Sequence, residues 1–172
     1  MRGRKLVVPD IKGLRPSSSR VREALFNILG DMNGDSVLDL FAGSGIIALE
    51  ALSRGATTVL SIESHAKACH AMRVIQSNWG VEGWVIQRGS IPQALPCGTH
   101  FNLIYADPPY GQGIAEQVGF WLRERDITFD TLVVEESSRN EMVWMAGDSP
   151  YQIRKYGETT LYFFQPHIEP VL

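Results

Sequence analysis

Four consecutive residues, Asp107, Pro108, Pro109 and Tyr110, have the composition of a catalytic site for an amino group. The prolines fix φ and lack backbone N–H donors, so the segment offers acceptors: the Asp107 carboxylate and the Pro108 carbonyl. An exocyclic –NH2 group needs acceptors for its two hydrogens, and holding both turns the nitrogen lone pair toward a methyl donor. Tyr110 supplies a ring on which a base stacks. A Pro-Pro turn under an aromatic lid is the plainer alternative.

A glycine-rich turn, Asp39-Leu40-Phe41-Ala42-Gly43-Ser44-Gly45, follows the first central apolar segment. Open α/β sheets bind ligands at the carboxyl ends of their strands, and glycine lets the backbone approach a ligand closely. With Ala48 the turn also matches the G-x-G-x-x-A dinucleotide fingerprint. Taken alone, this spacing fits a nicotinamide cofactor and S-adenosylmethionine equally, because the acidic Glu63 can bind the ribose hydroxyls of either; a turn without a ligand is the alternative. The candidate cofactor-binding residues here are Asp39, Phe41, Ala42, Gly43, Ser44, Gly45 and Glu63.

Short apolar segments alternate with segments of helical periodicity, which predicts an α/β fold: an open, mostly parallel sheet with helices on both faces. The predicted strands span 37–41, 59–63, 84–88, 101–106 and 131–135, and the predicted helices span 20–29, 46–54, 66–79 and 114–125. A C-terminal antiparallel hairpin is predicted over 151–156 and 159–165, and a short strand over 6–8. Since Asp107 follows the fourth strand, its motif is expected beside the glycine turn, at the same end of the sheet.

Charge is distributed unevenly along the 172 residues, which carry a net charge of −3. Up to Arg22, seven basic residues stand against one acidic residue, whereas the rest of the chain holds nine basic and 18 acidic residues. A basic arm on an acidic body indicates a polyanionic partner, although a solvated tail has the same composition. We expect a contacting arm and helix at 1–30 and a cofactor-binding domain at 31–172. The basic residues expected to contact the partner are Arg2, Arg4, Lys5, Arg15, Arg20 and Arg22.

Other residues indicate ordinary structural roles. His65 and His70 are five apart on a predicted helix, which does not suit a pair of metal ligands, so no metal is expected. Cys69 is expected in the core, the four tryptophans are expected to pack, and Glu135-Glu136 is expected to be a solvated charge pair. No apolar run approaches the roughly 20 residues that cross a bilayer, and no secretory signal is evident, so the cytoplasm is expected.

Together the motifs resemble the RsmD-type family of 16S ribosomal RNA guanine-N2 methyltransferases. The resemblance implies a class I methyltransferase fold, which is Rossmann-like, with S-adenosylmethionine as the methyl donor. It also implies methylation of one guanine N2, with RNA as the partner of the basic arm, presented in an assembling small ribosomal subunit. The segments that carry the resemblance are 2–6, 13–16, 21–27, 38–45, 50–56 and 107–110.

Two departures from the family pattern bear on these expectations. Family members commonly carry an acidic residue after the third strand to hold the adenine amine, where this chain has Gly89-Ser90-Ile91. Ser90 accepts one hydrogen bond without charge, so we expect Ser90 and Ile91 to bind the cofactor more weakly. The family also has several more residues before the Arg2-Gly3-Arg4 stretch, so part of an RNA-binding strand is expected to be missing.

Three alternatives remain open at the level of sequence. A DNA adenine-N6 methyltransferase uses the same motif, because adenine also presents an amine, but such enzymes usually need an added domain to read DNA. A non-catalytic RNA-binding or assembly protein on a methyltransferase scaffold is the second, and the intact Asp107 argues against it. A dehydrogenase is the third, supported by the G-x-G-x-x-A match alone.

Overall fold

A computed structural model describes residues 19–140, 142–144 and 149–166. These residues fall into two compact units, divided between Ala94 and Leu95. The predicted strand over 6–8 lies outside the described residues. None of the helices in the described ranges is long and apolar enough to cross a membrane.

The first unit alternates helices and parallel strands. It consists of α1 (Ser19–Leu29), β1 (Ser36–Leu40), α2 (Ile46–Ser53), β2 (Thr58–Glu63), α3 (Ala66–Trp79) and β3 (Trp84–Arg88). β2 pairs in parallel with β1 on one side and with β3 on the other. Helical connections between parallel neighbours are the expected crossover, because a parallel pair cannot be joined by a tight turn.

The burial of the first unit follows its hydrophobic periodicity. On α1 the buried residues are Val21, Leu25 and Phe26, which lie on one face of the helix. Four of the five residues of β1 are buried, as expected for a strand covered on both faces. α3 ends at Gly80, whose φ of 59° is the left-handed conformation that commonly closes a helix.

The second unit adds a parallel pair and an antiparallel hairpin. It contains β4 (His100–Ala106), a 3-10 turn (Ala115–Gln117), α4 (Val118–Glu124), β5 (Thr128–Ser137), β6 (Gln152–Tyr156) and β7 (Thr159–Phe164). β4 and β5 are parallel, whereas β7 is antiparallel to both β5 and β6. The hairpin between β6 and β7 turns at Gly157, where φ is 64°. The predicted antiparallel C-terminus of a mostly parallel α/β protein is confirmed.

The bounds of β5 differ from the prediction at both ends. The predicted strand spans 131–135, whereas β5 begins at Thr128 and ends at Ser137. Thr128 pairs with His100 of β4, and Ser137 pairs with Thr159 of β7, so the strand is extended by partners that local periodicity does not show. β5 therefore includes Glu135 and Glu136, which are central to the site described next.

Candidate functional site

The glycine turn of the first unit is built from left-handed backbone. Phe41, Gly43 and Gly45 have φ of 61°, 56° and 75°, and the N–H of Gly45 donates to the Ala42 carbonyl at 2.8 Å. The Ala42 N–H donates to the Ile62 carbonyl at 3.0 Å, which ties the turn to β2. A non-glycine residue such as Phe41 is uncommon at positive φ, and such strained positions cluster at ligand sites.

Glu63, at the end of β2, holds the glycine turn through its side chain. Its Oε2 accepts a hydrogen bond from the Gly43 N–H at 2.8 Å, and its Oε1 accepts from the backbone N–H of His65 at 2.7 Å and lies 2.8 Å from His65 Nδ1. The side chain is 6% exposed. Burial raises the pKa of Glu63, but the bonds from His65 and Gly43 outweigh burial and leave the pKa below its ordinary value. Glu63 is therefore a carboxylate anion at neutral pH.

Asp39, near the end of β1, is buried and is hydrogen-bonded to β2. Trp84 Nε1 donates to Ser61 Oγ at 2.9 Å, and Ser61 Oγ donates to Asp39 Oδ2 at 3.3 Å. Burial raises the pKa of Asp39 to about 7, against the hydrogen bond from Ser61, and the nearby Glu63 charge adds to the increase. At 1% exposure, Asp39 is buried within this series of hydrogen bonds to β2 and β3.

The remaining predicted cofactor residues extend this cluster. Ala42, Gly43, Ser44 and Gly45 are buried, whereas Phe41 is half-buried. The Gly89 N–H donates to the Glu63 carbonyl at 3.0 Å, which brings the segment after β3 beside Glu63. In that segment Ser90 is exposed and Ile91 is half-buried. The contacts of Glu63 thus join the glycine turn to the start of the 89–91 segment.

Gly45 leaves no room for a side chain. A Cβ at this position would lie 2.5 Å from Trp84 Cζ2 and 2.8 Å from Met72 Sδ, whereas a Cβ at Gly30, with a similar φ of 79°, would have nothing within 4 Å. We expect Gly45→Ala to reduce the free energy of unfolding by about 1–3 kcal/mol more than Gly30→Ala, the usual cost of overpacking. Urea unfolding of the two variants measures this difference, in which the shared cost of positive φ cancels. Equal losses would show that Trp84 and Met72 move aside freely.

The Asp107–Tyr110 motif lies directly after β4 in the second unit. The Asp107 side chain is half-buried, Pro108 is buried and Pro109 is exposed. Tyr110 is half-buried, and its hydroxyl donates to Glu135 Oε1 at 2.6 Å and lies 3.4 Å from Thr159 Oγ1. Burial raises the pKa of Tyr110, and the neighbouring Glu135 charge raises it further, so the hydroxyl stays protonated. The tyrosine is held at its hydroxyl, and the N–H of the next residue, Gly111, is held by Glu136.

Glu135 and Glu136 are buried, which contradicts the expectation that they form a solvated charge pair. They are 2% and 1% exposed. Glu135 accepts from the hydroxyls of Tyr105 and Tyr110, and Glu136 accepts from the Gly111 N–H at 3.2 Å and from Asn140 Nδ2 at 2.9 Å. The prediction was wrong because it ended the strand at Glu135, leaving Glu136 beyond it. The signal available in the sequence was that the two acids directly follow the apolar residues 132–134.

A cavity of about 290 Å³ adjoins the motif at Gly111. Glu116, Glu136 and Asn140 contribute to its walls. Within the described ranges, Glu116 Oε2 is buried and has no hydrogen-bond partner. Arg139 also lines the cavity, so its walls carry acidic, basic and amide side chains.

The predicted basic arm is described only at its C-terminal end. Arg20 on α1 is exposed, whereas Arg22 lies 3.8 Å from Glu50 and is partly covered. Arg2, Arg4, Lys5 and Arg15 lie outside the described residues. Among the residues that are described, no group of three or more His, Cys, Asp and Glu is placed to hold a metal ion.

Comparison with solved structures defines the class of fold. The chain aligns with a Salinibacter ruber RNA methyltransferase in complex with S-adenosyl-L-homocysteine at a TM-score of 0.70 and 15% identity, over 91% of this chain and 97% of that one. It aligns with "Putative methyltransferase yhhF from Escherichia coli" at a TM-score of 0.82 and 31% identity, over 95% of this chain and 92% of that one. The fold is the Rossmann-like class I methyltransferase fold, as the sequence predicted.

Sequence comparison identifies the family within this class. A family model described as "Conserved hypothetical protein 95" matches residues 1–165, and the chain belongs to this family, the RsmD-type family that the motifs resemble. One relative is the Escherichia coli K12 protein named "Ribosomal RNA small subunit methyltransferase D", 40% identical over 118 residues. That alignment covers 67% of this chain but 60% of the relative, so the chain matches less than two thirds of that protein's length.

Proposed function

We propose that the protein transfers a methyl group from S-adenosylmethionine to the exocyclic N2 amine of a guanine in small-subunit ribosomal RNA. The observation that carries the proposal is the Asp107–Tyr110 motif in a chain of the RsmD-type family, with relatives named as methyltransferases of small-subunit ribosomal RNA. In this proposal the cytoplasm is the site of action and the RNA is met in an assembling small subunit. Residues 1–30 serve RNA contact and residues 31–172 serve catalysis.

The chemistry of Glu63 fits the proposed cofactor. Glu63 Oε1 is occupied by His65 and Ser64, whereas Oε2, with about two acceptor sites, accepts only the Gly43 N–H among the described residues. Its remaining capacity suits the ribose hydroxyls, the glycine turn offers close backbone approach, and Ser90 and Ile91 would contact the adenine. When bound, S-adenosylmethionine supplies a methyl group activated by its positive sulfur. Because the donor is already activated, the protein's task is to orient the acceptor amine.

In this proposal each residue of the Asp107–Tyr110 motif has its own role in orienting the amine. Asp107 and the Pro108 carbonyl accept hydrogen bonds from the two amine hydrogens, Pro109 fixes the turn, and Tyr110 stacks on the base. The base reaches them by flipping out of its RNA context. After methyl transfer to nitrogen, one amine proton leaves, with Asp107 as the nearest acceptor in this assignment. The methylated amine and the demethylated cofactor are the products.

The cavity at Gly111 supports guanine as the base. Guanine carries an N1–H donor beside its N2 amine, whereas adenine carries an acceptor at N1 beside its N6 amine. A carboxylate such as that of Glu116, which lines this cavity, would accept the guanine N1–H and would repel the acceptor at adenine N1.

Transfer of labelled methyl groups tests the proposed function. Purified protein is incubated with naked 16S RNA, assembled small subunits and duplex DNA, and the modified nucleosides are identified. We expect N2-methylguanosine from one of the RNA substrates. Labelled N6-methyladenine from DNA would instead establish the alternative enzyme, and no transfer to any substrate would favour a binding protein.

The basic arm carries a prediction about RNA affinity. Arg4→Ala combined with Arg15→Ala should weaken binding, and each lost phosphate contact should reduce the slope of log affinity against log salt by about 0.7–0.9. Filter binding over a range of salt concentrations measures the slope. The matched control is Lys67→Ala with Lys155→Ala, which removes two exposed cations outside the arm. If both double variants behave like the wild type, the arm is a solvated tail.

A further inference from the structure

We infer that Glu135 is a positioning residue, which fixes the base-stacking ring of Tyr110 through the tyrosine hydroxyl. The inference rests on the proposed role of the Asp107–Tyr110 motif and adds a residue that the motif does not contain. Glu135 does not belong to the turn that presents Asp107, because it lies on β5, 25 residues beyond Tyr110.

The geometry around Glu135 is that of a buried two-point anchor. Its Oε1 accepts the hydroxyl of Tyr110 at 2.6 Å, and its Oε2 accepts the hydroxyl of Tyr105. Glu135 is 2% exposed and Tyr105 is 1% exposed, so the second tyrosine binds the carboxylate from inside the core. Each oxygen of the buried carboxylate therefore has its own hydroxyl donor, and the Tyr110 bond to Oε1 does not depend on the Tyr105 hydroxyl at Oε2.

The next residue fixes the backbone of the same turn. Glu136 Oε2 accepts the Gly111 N–H at 3.2 Å, and Glu136 is 1% exposed. Successive side chains of a strand point to opposite faces, so β5 holds the turn at two points from two sides. The ring of Tyr110 is therefore restrained at its hydroxyl by Glu135, and the following peptide is restrained by Glu136.

This arrangement changes the expectation for Tyr110→Phe. Stacking requires the ring alone, which predicts that phenylalanine keeps most activity. The hydrogen bond to Glu135 gives the hydroxyl a separate role, because it sets the plane in which the ring meets the base. Misplacement of a reacting group by about 1 Å costs on the order of 100-fold in rate, so a loosened ring is expected to slow methyl transfer measurably.

Tyr105 provides a matched control. Tyr105→Phe and Tyr110→Phe remove the same hydroxyl from the same carboxylate, and each leaves the other tyrosine in place. We expect Tyr110→Phe to reduce the single-turnover rate at saturating substrates by on the order of 10-fold, with unchanged affinity for S-adenosylmethionine. Tyr105→Phe should stay within about threefold of the wild type while lowering Tm to a similar extent.

Glu135→Gln tests whether Glu135 acts through Tyr110. We expect it to slow the single-turnover rate, and we expect the double variant with Tyr110→Phe to be no slower than the slower single variant, because coupled residues are not additive. Hydrogen exchange gives a readout that does not depend on activity. Exchange of the Tyr110 and Gly111 amides should accelerate in Tyr110→Phe and Glu135→Gln, and should not change in Tyr105→Phe.

The outcomes separate this inference from the proposed function. Equal rate losses and equal exchange in the two tyrosine variants would overturn the positioning role and leave guanine methylation intact. Methylation of adenine in DNA by the wild type would instead overturn the proposed substrate. In that case the single-turnover rates of Tyr105→Phe and Tyr110→Phe would be compared on DNA. Those rates, together with amide exchange, would still decide the role of Glu135.

Discussion

Asp107→Ala should slow single-turnover methyl transfer by on the order of 100- to 1,000-fold, the usual loss when a preorganised contact to the reacting group is removed. The variant loses the carboxylate proposed to orient the amine, while the Pro108 carbonyl remains. Because Asp107 is half-buried and lies in a turn of the second unit, affinity for S-adenosylmethionine and Tm should stay close to wild-type values. Rapid quench with pre-bound cofactor measures the rate apart from binding.

Asp107→Asn is the finer control for this prediction. Its amide oxygen still accepts one hydrogen bond, but its –NH2 places a donor against the donor amine of the base. Its rate should therefore lie closer to that of Asp107→Ala than to the wild type. A wild-type rate in Asp107→Ala would rule out the proposed orientation of the amine.

Glu63→Ala should weaken S-adenosylmethionine binding by about 1.5–3 kcal/mol, the range for hydrogen bonds to a charged group. The variant removes the proposed acceptor for the ribose and releases the Gly43 N–H, so the glycine turn also loses its restraint. Calorimetric titration measures the affinity, and Glu82→Ala, which removes an exposed carboxylate of the same unit, is the control. Because the pKa of Glu63 lies below its ordinary value, Glu63 stays ionised around neutral pH. Small changes of pH in this range should therefore not alter the affinity through Glu63.

Two outcomes would contradict the role of Glu63. Unchanged affinity in Glu63→Ala would assign the side chain to the turn alone. Binding of NAD in place of S-adenosylmethionine would favour the dehydrogenase that the G-x-G-x-x-A spacing left open. Glu63→Gln separates charge from shape, because its amide oxygen can replace one acceptor without the negative charge.

Local periodicity was sufficient to predict the elements of the first unit. α3 and β3 have the predicted bounds, and α2 and β2 differ by one residue at one end. These elements alternate in short, strongly patterned segments with glycines at their ends, so the local signal and the tertiary environment agree. The glycine turn was also predicted from the local sequence. In the structure Gly43 and Gly45 both have positive φ, as such a turn requires.

The anchors of the second unit could not be predicted in this way. Glu135 is hydrogen-bonded to Tyr110 and Tyr105, which precede it by 25 and 30 residues. Contacts at such separations cannot be predicted from the periodicity of a short segment. From their charge alone, Glu135 and Glu136 were expected to be exposed, because carboxylates are rarely fully buried unless they are paired. The pairing comes from Tyr110, whose ring indicated only base stacking, and from Tyr105 on β4. His65 beside Glu63 was likewise considered for metal binding and not as a hydrogen-bond donor.

Trp84 gives the glycine turn an intrinsic optical reporter. Its indole ring lies against Gly45, and its Nε1 donates a hydrogen bond to Ser61 Oγ. The residue is 3% exposed. Trp79, Trp121 and Trp144 are each half-buried, so Trp84 is the indole best shielded from water among them. The short-wavelength part of the tryptophan fluorescence therefore comes mainly from the residue that touches the turn. We expect the binding of the proposed cofactor at the turn to change this emission, which would follow binding without any added label.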